Sequence, residues 1–178
     1  MKFKTAGVYF SLLLCMMGWQ SAFADDDPDQ GACKGEEYRQ FDFWLGDWEV
    51  FDTKTGEKVG ENTIEKILAG CGIQENWRSV KQSRGRSLNT YDQGNKRWHQ
   101  TWVDNGGLLL RINGGLDDDG TMVMEGSGFD PRGNAFLSRI RWTPQGDTVR
   151  QLWEASSNKG KTWQVLFDGT YRRKGSAD

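Results

Sequence analysis

The sequence predicts an all-β fold: an antiparallel up-and-down barrel of about ten strands, preceded by a short N-terminal helix. Three observations predict it. From residue 46 onward the apolar residues recur with a period of two, the signature of strands with one buried face. Glycine and Asx turn signals return about every 8 to 12 residues, the spacing of a hairpin meander. The composition fits, with 23 glycines and nine tryptophans against only three prolines, so turns are made by glycine and large side chains are at hand to fill an interior.

Residues 1–24 come first and read as a cleavable export signal. Lys2 and Lys4 supply positive charge, residues 6–19 are almost wholly apolar, and Ala22-Phe23-Ala24 offers small residues at the two positions a signal peptidase reads, placing cleavage before Asp25. The apolar stretch is shorter than the roughly 20 residues of a membrane-spanning helix. Cys15 follows Leu12-Leu13-Leu14, and a lipoprotein site needs a small residue where Leu14 stands. The expected location is therefore the periplasm or the secreted fraction. Residues 25–35 then form an acidic flexible leader, 36–174 one barrel domain and 175–178 a tail.

Within the domain, residues 36–45 read as the short helix, with Tyr38, Phe41 and Trp44 at spacing three and Gly46 ending it. Strands follow at 46–53, 57–68, 72–82, 84–91, 96–104, 107–113, 121–128, 135–143, 147–156 and 161–173. Turn chemistry separates them: Thr55-Gly56, Gln93-Gly94-Asn95, Asn105-Gly106-Gly107, Asp119-Gly120, Pro131-Arg132-Gly133-Asn134, Gln145-Gly146 and Asn158-Lys159-Gly160. So many consecutive hairpin strands close on themselves most simply as a barrel, which leaves no unpaired edge and has room for one small ligand.

Cys33 and Cys71 remain after cleavage, and an even pair in an oxidising compartment reads as a disulfide. No second cysteine sits two or three residues from either, as a redox or zinc motif would need. The signal removes Lys2 and Lys4, making the formal net charge of −2 two units more negative. Such a balance gives no electrostatic attraction to nucleic acid or to anionic membrane.

The segment Phe41-Asp42-Phe43-Trp44-Leu45-Gly46-Asp47-Trp48-Glu49-Val50 resembles the opening of lipocalin-like (calycin) barrels, in which a short helix enters strand one through a Gly-x-Trp motif, here Gly46-Asp47-Trp48. Together with Gly70-Cys71-Gly72-Ile73-Gln74-Glu75-Asn76-Trp77, the stretch from Lys96 to Asn105 and Gly160-Lys161-Thr162-Trp163, it also resembles a family of uncharacterised secreted bacterial proteins over nearly the whole mature chain. That resemblance implies the barrel, with the tryptophan plugging one end, and carries over no catalytic residues. A more distant resemblance is to nitrobindin, which holds heme on a histidine near its C-terminal end. The one histidine here, His99, is in mid-chain, so that ligand has no counterpart and no cofactor is expected.

The candidate site comes from the tryptophans. Trp77, Trp98, Trp102, Trp142 and Trp153 sit mid-strand, either as core or as the wall of a pocket. Trp98, Gln100, Trp102 and Asp104 share one strand face, and Trp77 with Glu75 and Trp153 with Gln151 repeat the pairing of an indole with a polar group at spacing two. Pockets mix apolar walls with a few polar anchors. The ligand-binding expectation is therefore Glu75, Trp77, Trp98, Gln100, Trp102, Gln151 and Trp153, around a small, partly apolar molecule. Glu75, if inward and buried, would have a raised pKa and could act as an anchor or as a general acid or base; the plainer expectation pairs it with an arginine such as Arg139, Arg141 or Arg150. Two further readings stand beside the binder: a small-molecule isomerase, cyclase or hydratase, and a filled barrel acting through its surface around His99 and Val103.

Other chemistry is not indicated. A lone histidine offers no zinc site, and no Gly-x-Ser-x-Gly elbow surrounds Ser127. Asp117-Asp118-Asp119-Gly120 lacks the alternating ligands of a calcium loop and reads as a hairpin turn. Residues 156–163 resemble the Asp-box of sialidase-type propellers, with Asn158 where aspartate is usual, which implies a hairpin between strands nine and ten.

Overall fold

The computed structural model describes residues 33–130 and 132–175, so the expected export signal, most of the expected leader and most of the expected tail lie outside the described residues. Ten strands are present: β1 (Gly46–Asp52), β2 (Lys58–Ile67), β3 (Gly72–Ser79), β4 (Arg84–Asp92), β5 (Arg97–Asp104), β6 (Leu109–Leu116), β7 (Met122–Phe129), β8 (Ala135–Gln145), β9 (Thr148–Ser156) and β10 (Gln164–Arg173). Each pairs antiparallel with its neighbour in sequence, and β1 pairs with β10 to close the barrel.

The expected turns form where their chemistry requires. Gly56, Gly107, Gly120, Gly146 and Gly160 all have positive φ, the conformation a tight hairpin demands and a side chain resists. In the β9–β10 connection, Ser156 Oγ accepts from Gly160 N at 2.9 Å and Asn158 Oδ1 accepts from Thr162 N at 2.9 Å, so this segment is a side-chain-braced hairpin. At β6 both expected bounds shift, and the strand runs through Gly114-Gly115 rather than stopping before them. There a Cβ on Gly114 would lie 1.8 Å from the Val123 carbonyl oxygen, so glycine marks a close approach of two strands and not a turn.

The N-terminal helix is corrected. Residues 36–45 hold two 3-10 turns, Glu36–Arg39 and Asp42–Trp44, separated at Phe41 with φ −107° and ψ 10°. A 3-10 turn has three residues per turn, so side chains at i and i+3 eclipse. Tyr38, Phe41 and Trp44 at spacing three are therefore all brought to one buried side, which a 3.6-residue helix would splay.

That segment caps one end of the barrel. The Phe41 ring stacks on Trp44 at 4.8 Å and meets Trp142 at 5.2 Å and Trp98 at 5.6 Å edge to face. Trp48 of the Gly-x-Trp motif donates its indole N–H to the Trp44 carbonyl at 2.9 Å, and the Arg173 guanidinium lies 4.3 Å over its ring while donating to the Leu45 carbonyl at 3.0 Å. The Cys33–Cys71 disulfide fastens the capping segment to the β2–β3 connection, across a sequence separation of 38 residues. Such a link is compatible with an oxidising environment. Among the described residues no helix is long and apolar enough to cross a membrane.

Candidate functional site

The other end of the barrel is open. A cavity of about 760 Å³ enters it between the β1–β2 and β3–β4 connections and reaches the middle of the interior. The expectation of a filled barrel thus fails for this half and holds only for the capped one. The cavity wall is apolar, made by Val59, Trp77, Trp102, Leu110, Ile140, Trp153 and Phe167. Its floor is polar, with Glu75, Gln100, Gln151 and Tyr171. Asp52, Lys54, Lys81, Asp104 and Asp168 stand around the mouth.

Strand alternation puts these side chains inward. On β3, Ile73, Glu75 and Trp77 share a face; on β5, Trp98, Gln100 and Trp102; on β9, Val149, Gln151 and Trp153. Small residues make room for three of the rings. A Cβ on Gly60 would meet the Trp77 indole at 2.5 Å, one on Gly85 the Trp102 indole at 2.1 Å, and one on Gly169 the Phe167 ring at 2.5 Å. Trp77, Trp102 and Phe167 thus each lie against a glycine of their own or the adjacent strand, where a side chain would push the ring away. Trp153 is fixed differently, by its indole N–H donating to Ser138 Oγ at 2.6 Å.

Glu75 is 3% exposed, and its surroundings are neutral. Asn62 Nδ2 donates to its Oε1 at 2.7 Å and Ser87 Oγ to its Oε2 at 2.7 Å. Desolvation pushes its pKa up to about 7 against the opposing effect of those two hydrogen bonds. The arginine-partner expectation is overturned: Arg139 and Arg141 pair with Glu154, and Arg150 with Asp168, all from outward-facing positions of β8 and β9. Tyr171, also buried, donates its hydroxyl to Gln151 Oε1 and accepts from Asn62 Nδ2 at 3.2 Å. Burial, with the Glu75 carboxyl nearby, holds its phenol well above the ordinary tyrosine range.

Of the seven expected site residues, Glu75, Trp77, Gln100, Trp102, Gln151 and Trp153 line the cavity. Trp98 does not. It faces inward one turn of the alternation too deep, packs at the capped end against Phe41 and Tyr91, and donates to Gln40 Oε1 at 3.1 Å. His99 faces outward as its phase requires, hydrogen-bonded through its ring nitrogens to Asn113 and Thr101. Sequence reasoning missed Asn62, Ser87, Asn89, Phe167 and Tyr171. The signal was present, since Ser87 and Asn89 share the inward phase of Gly85, and Phe167, Gly169 and Tyr171 alternate on one face of β10. Polar residues in an inward phase were the clue. Among the described residues no cluster of histidine, cysteine and carboxylate side chains could hold a metal ion.

No protein-family model and no curated protein matches this chain.

Proposed function

We propose that this protein is an exported barrel that binds a small, partly apolar molecule in its open half. The observation carrying the reading is the cavity itself: about 760 Å³, walled by aromatic and aliphatic side chains and floored by a few convergent polar groups. That volume is in the range of small-molecule sites, as is the mixture of many apolar contacts with few hydrogen-bonding ones. The disulfide and the apolar, lysine-flanked residues 1–24 support export, and the Gly46-Asp47-Trp48 entry supports a lipocalin-like reading of the barrel. Native mass spectrometry of the protein purified gently from its own compartment, set against the denatured mass, tests it. Bound mass that leaves on unfolding is expected. No bound mass, with tryptophan fluorescence unmoved by lipids and aromatic metabolites, would sink it.

A second reading, a barrel enzyme, draws on one observation. Glu75 titrates near neutrality, and Asn62 bridges it to Tyr171, whose proton is strongly held. A proton acceptor and a hydrogen-bond donor beside an apolar cavity can move a proton on a bound ligand. Deuterium exchange into the co-purified ligand, in the wild-type protein but not in Glu75→Gln, would favour this reading over a carrier.

A further inference from the structure

The floor of the cavity has a hydrogen-bond direction, and that direction selects the head group of a ligand. Asn89 is oriented by backbone, its Nδ2 donating to the Ile73 carbonyl at 3.2 Å. Asn89 Oδ1 is then an acceptor, and Gln100 Nε2 donates to it at 2.8 Å. Ser87 Oγ receives an N–H from Asn89 at 2.9 Å, so its single proton is left for Glu75 Oε2. On the other side Tyr171 gives its proton to Gln151, so its oxygen accepts from Asn62, and the same amide donates to Glu75 Oε1. Both carboxyl oxygens are receivers at the end of a relay of donors. The relay suits the ionised form of Glu75, yet every donor in it is neutral.

Among the described residues no cation compensates that charge. From the packed elements, β2 presents Asn62 to Glu75, β4 presents Ser87 and Asn89, β5 Gln100, β9 Gln151 and β10 Tyr171. Tyr171 is the one other titratable group of this set, and it is neutral. A buried ionised carboxylate without a cationic partner is costly, and a charge supplied by a ligand removes that cost. Gln100 spends its N–H groups within the network, which leaves Oε1 as a further acceptor without a partner among the described residues, on a side chain that lines the cavity.

Resting on the pocket reading above, we propose that the cavity takes a cationic, partly apolar molecule, an ammonium or amidinium group on a flat hydrocarbon body, with the cation at Glu75 and Gln100 Oε1. The aromatic wall suits both parts, because indole faces bury hydrocarbon and attract cations. The mouth does not repel such a ligand, since Asp52 and Asp104 stand there against Lys54 and Lys81, and the remaining carboxylate, Asp168, is paired with Arg150. A hydrogen bond between charged groups in place of a neutral one is worth at least about tenfold in affinity at such a site.

Three probes with the same indole body separate the possibilities: tryptamine, tryptophol and indole-3-acetate, titrated by calorimetry at about pH 8, with the neutral dye N-phenyl-1-naphthylamine reporting on the cavity. Tryptamine is expected to bind at least about tenfold more tightly than tryptophol, with indole-3-acetate weakest. Glu75→Gln should erase the preference for tryptamine, read as the ratio of tryptamine to tryptophol affinity within the variant. Should that variant fail to fold, the wild-type protein carries the test alone, because tryptamine affinity must fall as pH drops below 7 while that for tryptophol stays level. Dye binding without an amine preference overturns the cationic reading and leaves the pocket standing. Absence of dye binding and of all three indoles overturns both.

Discussion

At the capped end, Phe41, Trp44, Trp48, Trp98 and Trp142 are at most 1% exposed and pack ring against ring, whereas at the open end Trp77, Trp102 and Trp153 stay only partly buried around a void. The same residue type serves opposite purposes within one interior. What differs is the backbone beneath it. The capped tryptophans of the strands pack against Phe41 and Trp44 of a separate segment that closes this end, and among the described residues the indole N–H groups of Trp44 and Trp142 have no partner. The wall residues Trp77 and Trp102 instead lie on Gly60 and Gly85, and among the described residues no segment inserts against them. One end thus derives its stability from dense packing; the other forgoes packing and is held by the polar relay through Glu75.

The comparison breaks most easily at the tryptophans. Trp142→Ala should lose about 4 kcal/mol in urea unfolding and Trp102→Ala no more than about 1, because only the first opens a cavity in close-packed surroundings. Equal losses would mean that the open half is packed after all. Glu75 supplies the next effect. Its folded-state pKa of about 7 lies above the ordinary 4.5, so the folded protein holds the proton more tightly, and the associated stability is full below about pH 4.5 and lost as pH rises through 7. Urea midpoints between pH 4.5 and 8 should fall by an amount equivalent to about 3 kcal/mol, and Glu75→Gln should flatten that slope.

Removing the disulfide with Cys33→Ser and Cys71→Ser should cost about 3 kcal/mol, while dye binding at the opposite end is unchanged. A loss of dye binding would show that the two ends are coupled. The smallest effects are at glycines. Gly85→Ala forces the Trp102 indole to move and should cost about 1 kcal/mol with altered dye fluorescence. Gly115→Ala, where nothing lies within 4 Å of the added carbon, should stabilise by about 0.5 kcal/mol, and the opposite signs of the pair are the check.

The strands were legible because each is bounded by residues whose turn chemistry is local, and the disulfide because two cysteines admit one pairing. The pairing of β1 with β10 closes the chain over its whole length and follows only from there being no other way to remove two edges. Depth was not legible at all. Trp98 and Trp102 share a face and a spacing, yet Phe41 reaches the first and not the second, since the capping segment is short enough to fill only one end. Asn62, Ser87 and Asn89 carry no motif. Their role depends on three strands placing them around Glu75, an arrangement set by register between β2, β3 and β4, where Asn62 lies opposite Trp77 and Ser87 opposite Glu75.

Closure by the first and last strands has a directional outcome. β1 begins and β10 finishes at the capped end, where Lys174 N donates to the Asp47 carbonyl at 2.9 Å. Polypeptide joined at either side of the barrel departs from that one pole, and the disulfide anchors it there as well. A tether or an immobilising tag attached beside Cys33 or Gly175 therefore leaves the mouth facing outward, so the barrel can be displayed on a surface as an upright cup.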